Sequence, residues 1–216
     1  MKGYDLFKDQ TPPVLAKYPK ILEVNIDEYS ILKGEIDVID LNGKFWETYS
    51  IEIHCSDQFP LRFPRLYETS NKFPKIADWH VFEDSGTCCV KILPEELIKC
   101  LKGITLLEYL DQEVLPYFFN QTHRKVEGYY VNGEYSHGLK GIIEFYSRVL
   151  KTDNLDQILR LILFISGNSR PDRTSQCFCG SNQKFRKCHR DSFDKLVALG
   201  KDTLETHAVA IHKARN

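Results

Sequence analysis

Apolar and polar residues alternate in the first third of the chain, which is the pattern of strands with one covered face. The run 31–40 leads into an Asn-Gly dipeptide, which is typical of tight β-hairpin turns. Residues 45–56 form the returning strand, with apolar side chains at every second position. Prolines in the segment 59–64 (FPLRFP) cannot donate to a strand ladder, so we expect a bend there before a short strand at 65–69. An antiparallel meander is predicted.

After residue 103 the apolar residues recur at steps of three and four, which is the period of helices packed on one side. One such stripe runs from Leu106 to Phe118, and a second runs from Leu139 to Leu150. Residues 154–165 are apolar on nearly every face, so we expect a buried helix that closes the main core. The last part of the chain predicts one further helix, with a single apolar stripe of Phe193, Val197, Leu204, Ala208 and Ile211.

The order of these elements, strands first and helices afterwards, is typical of an α+β fold in which helices cover one face of an antiparallel sheet. We expect residues 1–166 to form this main domain. The polar stretch 167–174 (GNSRPDRT) predicts a short linker, and residues 175–216 form a small module that ends in the final helix. A chain of 216 residues, 42% of them hydrophobic, can bury the cores that this division requires.

The overall charge of the chain gives no reason to expect nucleic acid or a membrane as a partner. The 29 Lys and Arg residues nearly cancel 30 Asp and Glu residues. The N-terminal segment has no apolar leader pattern, and the longest apolar run is too short to span a bilayer. The 7 cysteines are an odd number and suit a reducing compartment better than a disulfide framework. We therefore expect a cytoplasmic protein.

Four potential metal ligands stand close together in the segment CFCGSNQKFRKCH: Cys177, Cys179, Cys188 and His189. Three thiolates and one imidazole complete the tetrahedral shell of structural zinc and leave no position open for a substrate. A Cys-Gly-Ser turn lets the backbone reverse after the first pair of ligands. The segment resembles the SEC-C motif, a short zinc-binding sequence first described at the C-terminus of a translocation ATPase. We therefore expect a structural Zn²⁺ ion, and the alternative is four residues without a metal.

Positive charges surround the predicted metal site, against a single acidic residue, Asp172. They are Arg170, Arg173, Lys184, Arg186, Lys187 and Arg190. Such a cluster can bind the phosphates of RNA, contact an acidic protein, or merely offset the thiolate charge of the zinc site. The sequence leaves these three possibilities open.

A second pattern covers roughly residues 30–150. The segment 86–93 (GTCCVKIL) holds a vicinal cysteine pair before an aliphatic run, and it follows the Phe-Pro bend, His80 and an acidic loop. This arrangement resembles ubiquitin-conjugating enzymes in their divergent bacterial form. The resemblance implies a ubiquitin-conjugating-like antiparallel β-meander with helices on one face. It also implies a catalytic cysteine that carries an acyl group as a thioester, and an activating (adenylating) enzyme as a partner.

The resemblance favours Cys89 over Cys88 as the acyl acceptor. Cys88 falls where the family has a buried aliphatic residue, whereas a thioester carrier needs its sulfur at the surface. His80 is expected to organise the loop beside Cys89 by hydrogen bonding, with general-base catalysis as an alternative role. Cysteine is also among the most buried residue types, so a vicinal pair in the core is the competing interpretation.

The chain departs from the family directly after the histidine. The family has proline and asparagine there, and the asparagine is held to stabilise the loop or the oxyanion, whereas this chain has Val81 and Phe82. Loss of one oxyanion donor costs about 10²- to 10³-fold in rate. Either another group replaces it, such as a backbone N–H near Gly86, or lysine is not ligated in the standard way. Glu83 and Asp84 either orient an incoming amine or are simply solvated.

The resemblance implies a transferase-like carrier, which we expect in the cytoplasm. It would accept the activated C-terminus of a ubiquitin-like protein, or of another protein such as a cyclic-oligonucleotide synthase, on Cys89 and pass it on. Similar bacterial domains occur beside such enzymes in phage-defence operons, so the resemblance implies a role in antiviral defence. The alternative is a non-catalytic scaffold of the same fold that binds partners through the zinc knuckle.

Overall fold

The computed structural model describes residues 3–26, 29–131, 133 and 135–215. The chain divides into two compact units, Met1–Glu134 and Tyr135–Asn216. This division differs from the expected boundary, because the helices at positions 138–150 and 155–166 belong to the second unit. The predicted linker therefore lies inside the second unit.

The first unit begins with two short helices, continues with four strands and ends with helices. In chain order its elements are α1 (Gly3–Asp9), α2 (Thr11–Lys17), β1 (Ile21–Ile26), β2 (Tyr29–Ile39), β3 (Phe45–His54), β4 (Arg65–Glu68), a 3-10 turn (Ala77–Trp79), α3 (Leu93–Leu101), α4 (Leu106–Tyr109), a π-helical segment (Leu110–Val114) and α5 (Leu115–Glu127).

The four strands form one antiparallel sheet in the order β1-β2-β3-β4, which confirms the meander expected from the alternating pattern. β2 and β3 pair with Ile36 opposite Tyr49, and β3 and β4 pair with Ile53 opposite Leu66. All four of these side chains are buried on the inner face. The proline-containing segment at 59–64 forms turns between β3 and β4, as expected.

β1, which pairs with β2 at one edge of the sheet, is not among the expected strands, although apolar and polar residues alternate along it. Its apolar residues Leu22, Val24 and Ile26 are exposed, whereas its neighbour in the pattern, Ile21, is buried. The alternation in β1 therefore does not identify the face of the strand that packs on the core, because its apolar positions face solvent.

β1 begins where the backbone passes very close to Gly34 of β2. A Cβ atom at Gly34 would lie 2.1 Å from the carbonyl oxygen of Lys20 and 2.7 Å from Cα of Ile21. Both neighbours are backbone atoms, which cannot rotate away as the end of a flexible side chain could. Glycine therefore permits this close approach of two strands.

Helices supply the other side of the core in the first unit. The predicted stripe from Leu106 to Phe118 is confirmed, although its middle part is π-helical rather than α-helical. The Phe118 ring stacks on Tyr49 of β3 at a centroid distance of 4.6 Å. Val81 and Cys88 belong to the same buried cluster, so the core extends to the segment that carries the two vicinal cysteines.

The second unit is helical. Its elements are α6 (Gly138–Leu150), α7 (Leu155–Ser166), a 3-10 turn (Phe185–Lys187), α8 (Arg190–Val197) and α9 (Lys201–Arg215). The start of α7 is capped by the side chain of Asn154, which accepts the Gln157 N–H at 3.0 Å. In the described part of the chain, every helix is too short or too polar to cross a membrane.

The interpretation of α7 as a helix buried on nearly every face is wrong. Leu163 and Phe164 are 53% and 37% exposed. The buried side of α7 packs against other helices of the second unit, above all α9. Phe164, one of these partly exposed residues, packs beside the predicted metal site. Its ring stacks on the Phe178 ring at a centroid distance of 4.4 Å.

The single final helix is also corrected, because it divides into α8 and α9. Gly200 lies between them with a φ of 80°, a left-handed conformation that ends helices and favours glycine. After this turn the stripe continues in a new register. Leu196 and Leu199 are buried, whereas Val197 is only half-buried.

Candidate metal centre and candidate reactive cysteine

The four predicted metal ligands come together in the second unit, between a short β-bridged turn and the start of α8. Cys177 and Cys179 lie in that turn, where Gly180 reverses the chain with a φ of 82°. Cys188 follows the 3-10 turn, and His189 directly precedes α8. Two consecutive local structures therefore each present two ligands.

The ligand atoms are spaced as a four-coordinate metal site requires. All four lie within 4.8 Å of one another. Nδ1 of His189 lies 3.4 Å from Sγ of Cys177 and 3.1 Å from Sγ of Cys188. Sγ of Cys179 lies 3.6 Å from Sγ of Cys188. Bonds of about 2.3 Å to sulfur and about 2.0 Å to nitrogen place tetrahedral neighbours roughly 3.5–3.8 Å apart, so this donor set fits such an ion.

The ring of His189 is oriented by a contact outside the ligand set. Its Nε2 lies 2.8 Å from the carbonyl oxygen of Leu150, the last residue of α6. A carbonyl can only accept, so Nε2 carries the proton and Nδ1 is left free of a proton on the side of the thiols. This is the arrangement by which proteins usually fix a metal-binding histidine.

Hydrogen bonds within the cluster favour a thiolate at Cys179. Burial by itself would raise the pKa of this thiol, but the Ser181 hydroxyl at 3.1 Å and further bonds within the cluster lower it to about 6. Burial raises the pKa of Cys177 to about 12. The site thus combines one readily ionised thiol with another that needs a nearby cation to lose its proton.

The six positive residues near the metal site fall into two groups. Arg170 and Arg190 pair with Asp194, at N–O distances of 2.8 Å and 3.8 Å. The other four are exposed and form no ion pair with any residue that the structure describes: Arg173, Lys184, Arg186 and Lys187. A divalent ion with three thiolates would carry a charge of about −1, so offsetting it does not account for all four cations.

Aromatic side chains join the metal site to the helices of its unit. The Phe178 ring, between the first two ligands, stacks on Phe164 of α7 and lies 6.1 Å from the Phe193 ring of α8. It also lies 5.7 Å from the His189 ring. The metal site is therefore part of the packed core of the second unit.

Cys88 and Cys89 lie in a short segment that is bonded to the sheet on one side and to the His80 loop on the other. The N–H of Cys88 donates to the carbonyl of Leu66 in β4 at 2.8 Å, and the N–H of Cys89 donates to the carbonyl of His80 at 2.7 Å. Cys88 is 5% exposed, whereas Cys89 is half-buried. The relative exposure of the two thiols is the one that the resemblance implies.

Both thiols are protonated near neutral pH in this conformation. Burial raises the pKa of Cys88 to about 12. Burial also raises the pKa of Cys89 to about 11, and the negative charge of Glu96 adds to the increase. A thiol with this pKa is ionised to roughly one part in 10⁴ at pH 7. Reaction at Cys89 therefore requires a change in its surroundings.

A backbone hydrogen bond from the N–H of Cys89 to the carbonyl of His80 joins the two predicted catalytic residues. His80 has φ 50° and ψ 46°, a left-handed conformation that is uncommon for residues other than glycine. Its ring meets the Tyr130 ring edge-on at 5.2 Å. The loop-organising role of His80 and its alternative role as a general base both stay predictions.

The Gly86 N–H, a possible replacement for the missing amide, and Glu83, which could orient an incoming amine, both form hydrogen bonds within the loop. The N–H of Gly86 donates to the carbonyl of Phe82 at 2.7 Å. Oε1 of Glu83 accepts the N–H of Ala77 at 3.1 Å, so this carboxylate closes the loop on itself. Asp84 is exposed. In this conformation the loop offers an incoming substrate neither the Gly86 donor nor that oxygen of Glu83.

Sequence reasoning misses three residues of α5 that hold the loop: Tyr117, Gln121 and Arg124. They donate hydrogen bonds to backbone carbonyls of the segment 78–80. Their spacing of four and three residues places them on one helix face. That spacing is visible in the sequence, but the loop that they contact is about 40 residues away along the chain and cannot be read from it.

Comparison with known families supports the metal site alone. The family model of the SEC-C motif matches residues 173–191, which contain all four ligands. No match to the chain was found among curated proteins or among solved structures.

Proposed function

We propose that the chain is a ubiquitin-conjugating-like carrier, which accepts the activated C-terminus of a protein as a thioester on Cys89 and transfers it. The observation that carries the proposal is the position of Cys89. It is the more exposed thiol of a vicinal pair, and it lies in a segment that is hydrogen-bonded to the His80 loop. The order of elements, a four-stranded meander followed by this segment and then by helices, agrees with the resemblance.

The proposed step exchanges one thioester for another. The Cys89 thiolate attacks the carbonyl carbon of a thioester on the activating enzyme, and the bond from that carbon to the enzyme's sulfur breaks. The enzyme's cysteine leaves as a thiolate and takes up the proton that Cys89 has lost. Since the pKa of Cys89 is raised to about 11, we expect docking of the activating enzyme to change the surroundings of the thiol.

The donor in this proposal is a ubiquitin-like protein or a cyclic-oligonucleotide synthase, and the setting is antiviral defence in the bacterial cytoplasm. These details rest on the family resemblance. Lysine ligation in the family's usual manner is not part of the proposal, because the loop has Val81 and Phe82 in place of the amide-bearing motif.

We further propose that Zn²⁺ is the resident ion of the second unit. Cys177, Cys179, Cys188 and His189 would hold it with no position left for a substrate, so its contribution is structural. The exposed cations beside it would then be available to an anionic partner, either RNA or an acidic protein.

A non-catalytic scaffold is the second candidate, and a specific observation favours it. Burial keeps Cys89 protonated, and the Gly86 N–H is already bonded to Phe82. A buried, protonated thiol is equally consistent with a cysteine that only packs in the core and has no catalytic role. In the scaffold, the first unit and the metal site with its exposed cations would only bind partners.

Adduct formation with the cognate activating enzyme, ATP and the donor protein distinguishes the two candidates. Intact mass spectrometry should show an ATP-dependent adduct on the wild type that a reducing agent releases. Cys89→Ser should abolish this adduct or convert it into a reductant-resistant ester, since a serine hydroxyl is not ionised at neutral pH. Cys88→Ser, the matched control, should retain it. If no adduct forms on any variant, the scaffold is the better account.

A further inference from the structure

Three consecutive carbonyl groups before Cys89 each accept a hydrogen bond from one face of α5. The pairs are Arg124 Nη1 with the Asp78 carbonyl, Gln121 Nε2 with the Trp79 carbonyl at 3.0 Å, and Tyr117 Oη with the His80 carbonyl at 3.1 Å. We refer to the three α5 side chains as the α5 clamp. It holds every residue from 78 to 80.

Two of the three side chains of the α5 clamp, Gln121 and Tyr117, have little access to water. Gln121 is 1% exposed and Tyr117 is 7% exposed. The Arg124 guanidinium lies over the Trp79 ring at 4.4 Å and also pairs with the carboxylate of Asp78. A buried polar group that loses its partner is not compensated by water, so these bonds restrict the loop strongly.

Tyr117 connects the loop to both cysteines. The His80 carbonyl accepts from the Tyr117 hydroxyl and also from the N–H of Cys89, at 3.1 Å and 2.7 Å. The Tyr117 hydroxyl also lies beside the Cys88 thiol. Loss of this one hydroxyl would release the loop and loosen the segment that carries Cys89.

We propose that the α5 clamp holds the His80 loop against the Cys88–Cys89 segment, and thereby keeps Cys89 half-buried and poorly reactive until a docking partner displaces the loop. The inference rests on the proposed carrier function, because it assigns the control of that same thiol. Tyr117, Gln121 and Arg124 act through the backbone of the loop, so they are positioning residues.

The rate at which iodoacetamide alkylates Cys89 in the full chain tests this proposal without an activating enzyme. Trypsin releases residues 76–91 as one peptide, and its fragment ions separate Cys88 from Cys89. Tyr117→Phe should increase the Cys89 rate at pH 7.5 about 5- to 10-fold and shift its pH profile to lower pH. Water that enters the loosened site removes part of the desolvation, and each pKa unit changes the thiolate fraction about tenfold.

Tyr117→Phe removes only the Tyr117 hydroxyl from the titratable and charged groups that face Cys89. They are Glu96 of α3, Tyr117 of α5 and, through the backbone, His80. Gln121→Met removes a different bond of the α5 clamp and should change the rate in the same direction. It keeps the proposal testable if Tyr117→Phe fails to fold.

Tyr49→Phe is the matched control. It also removes a buried phenol hydroxyl from the same core, one that lies 2.9 Å from the hydroxyl of Thr122 and outside the loop. This variant should lower the melting temperature and leave alkylation of Cys89 unchanged. A purely structural role of Tyr117 predicts the same behaviour for Tyr117→Phe.

The proposal is overturned if Tyr117→Phe and Gln121→Met alkylate at the wild-type rate with the wild-type pH profile. Faster alkylation together with no adduct in the carrier assay has a different meaning. In that case the α5 clamp shields the thiol as proposed, and the carrier function alone is contradicted.

Discussion

Cys88 and Cys89 are neighbours in the chain but occupy different environments, because the backbone of their segment turns one side chain into the core and the next towards the surface. The family resemblance is enough to expect this order. It does not reveal that burial and Glu96 raise the pKa of Cys89 to about 11, because the fold brings those groups together. Exposure of a thiol and its readiness to react are thus separate properties at this position.

Gly34 gives a stability prediction at the same scale. Gly34→Ala should lower the free energy of unfolding by roughly 1–3 kcal/mol or more, because the added Cβ would overlap the backbone at Lys20 and Ile21. Urea unfolding followed by tryptophan fluorescence measures it. Gly43→Ala is the control, since its Cβ would have no atom within 4 Å and its φ of 80° costs only about 1 kcal/mol. Equal losses in the two variants would contradict the close approach.

Periodicity predicts elements whose apolar residues face the core. β2, β3 and the helical stretch that begins at Leu106 follow this rule, and the structure confirms them. β1 breaks the rule because Leu22, Val24 and Ile26 are exposed and Ile21 alone of its apolar residues is buried. The prediction of one continuous final helix is wrong for another reason. Gly200 ends the first helix, although the apolar pattern continues on both sides of this glycine.

The two candidate sites differ in how far the sequence can describe them. The metal ligands are local, since all four lie within 13 consecutive residues, and their spacing is sufficient to identify the set. The α5 clamp instead depends on the tertiary placement of α5 beside a loop much earlier in the chain. Residue types and spacing carry no information on such a contact.

At the scale of the whole molecule, the metal site belongs to the second unit as a structural part. His189 bonds to the end of α6, and Phe178 stacks on α7. Loss of the ion should therefore destabilise the helices of this unit and not just the knuckle. Both tryptophans, Trp46 and Trp79, lie in the first unit, so their fluorescence reports on that unit separately.

Removal of the metal is a direct test of this organisation. Elemental analysis should find about one zinc per chain, and the double variant Cys177→Ser with Cys188→Ser should lose it. Far-UV circular dichroism of the variant should show a loss of helix, while the unfolding transition seen by tryptophan fluorescence should change less. Full zinc occupancy in the double variant would place the ion elsewhere.

The account depends most on the identity of the accepting atom, and mapping the adduct measures it directly. The wild-type adduct, kept at acidic pH without reductant, is digested so that residues 76–91 carry the remnant of the donor. The fragment that contains residues 89–91 should retain the added mass. If this fragment is unmodified and the added mass appears only when Cys88 is included, the assignment of Cys89 as the carrier thiol is contradicted.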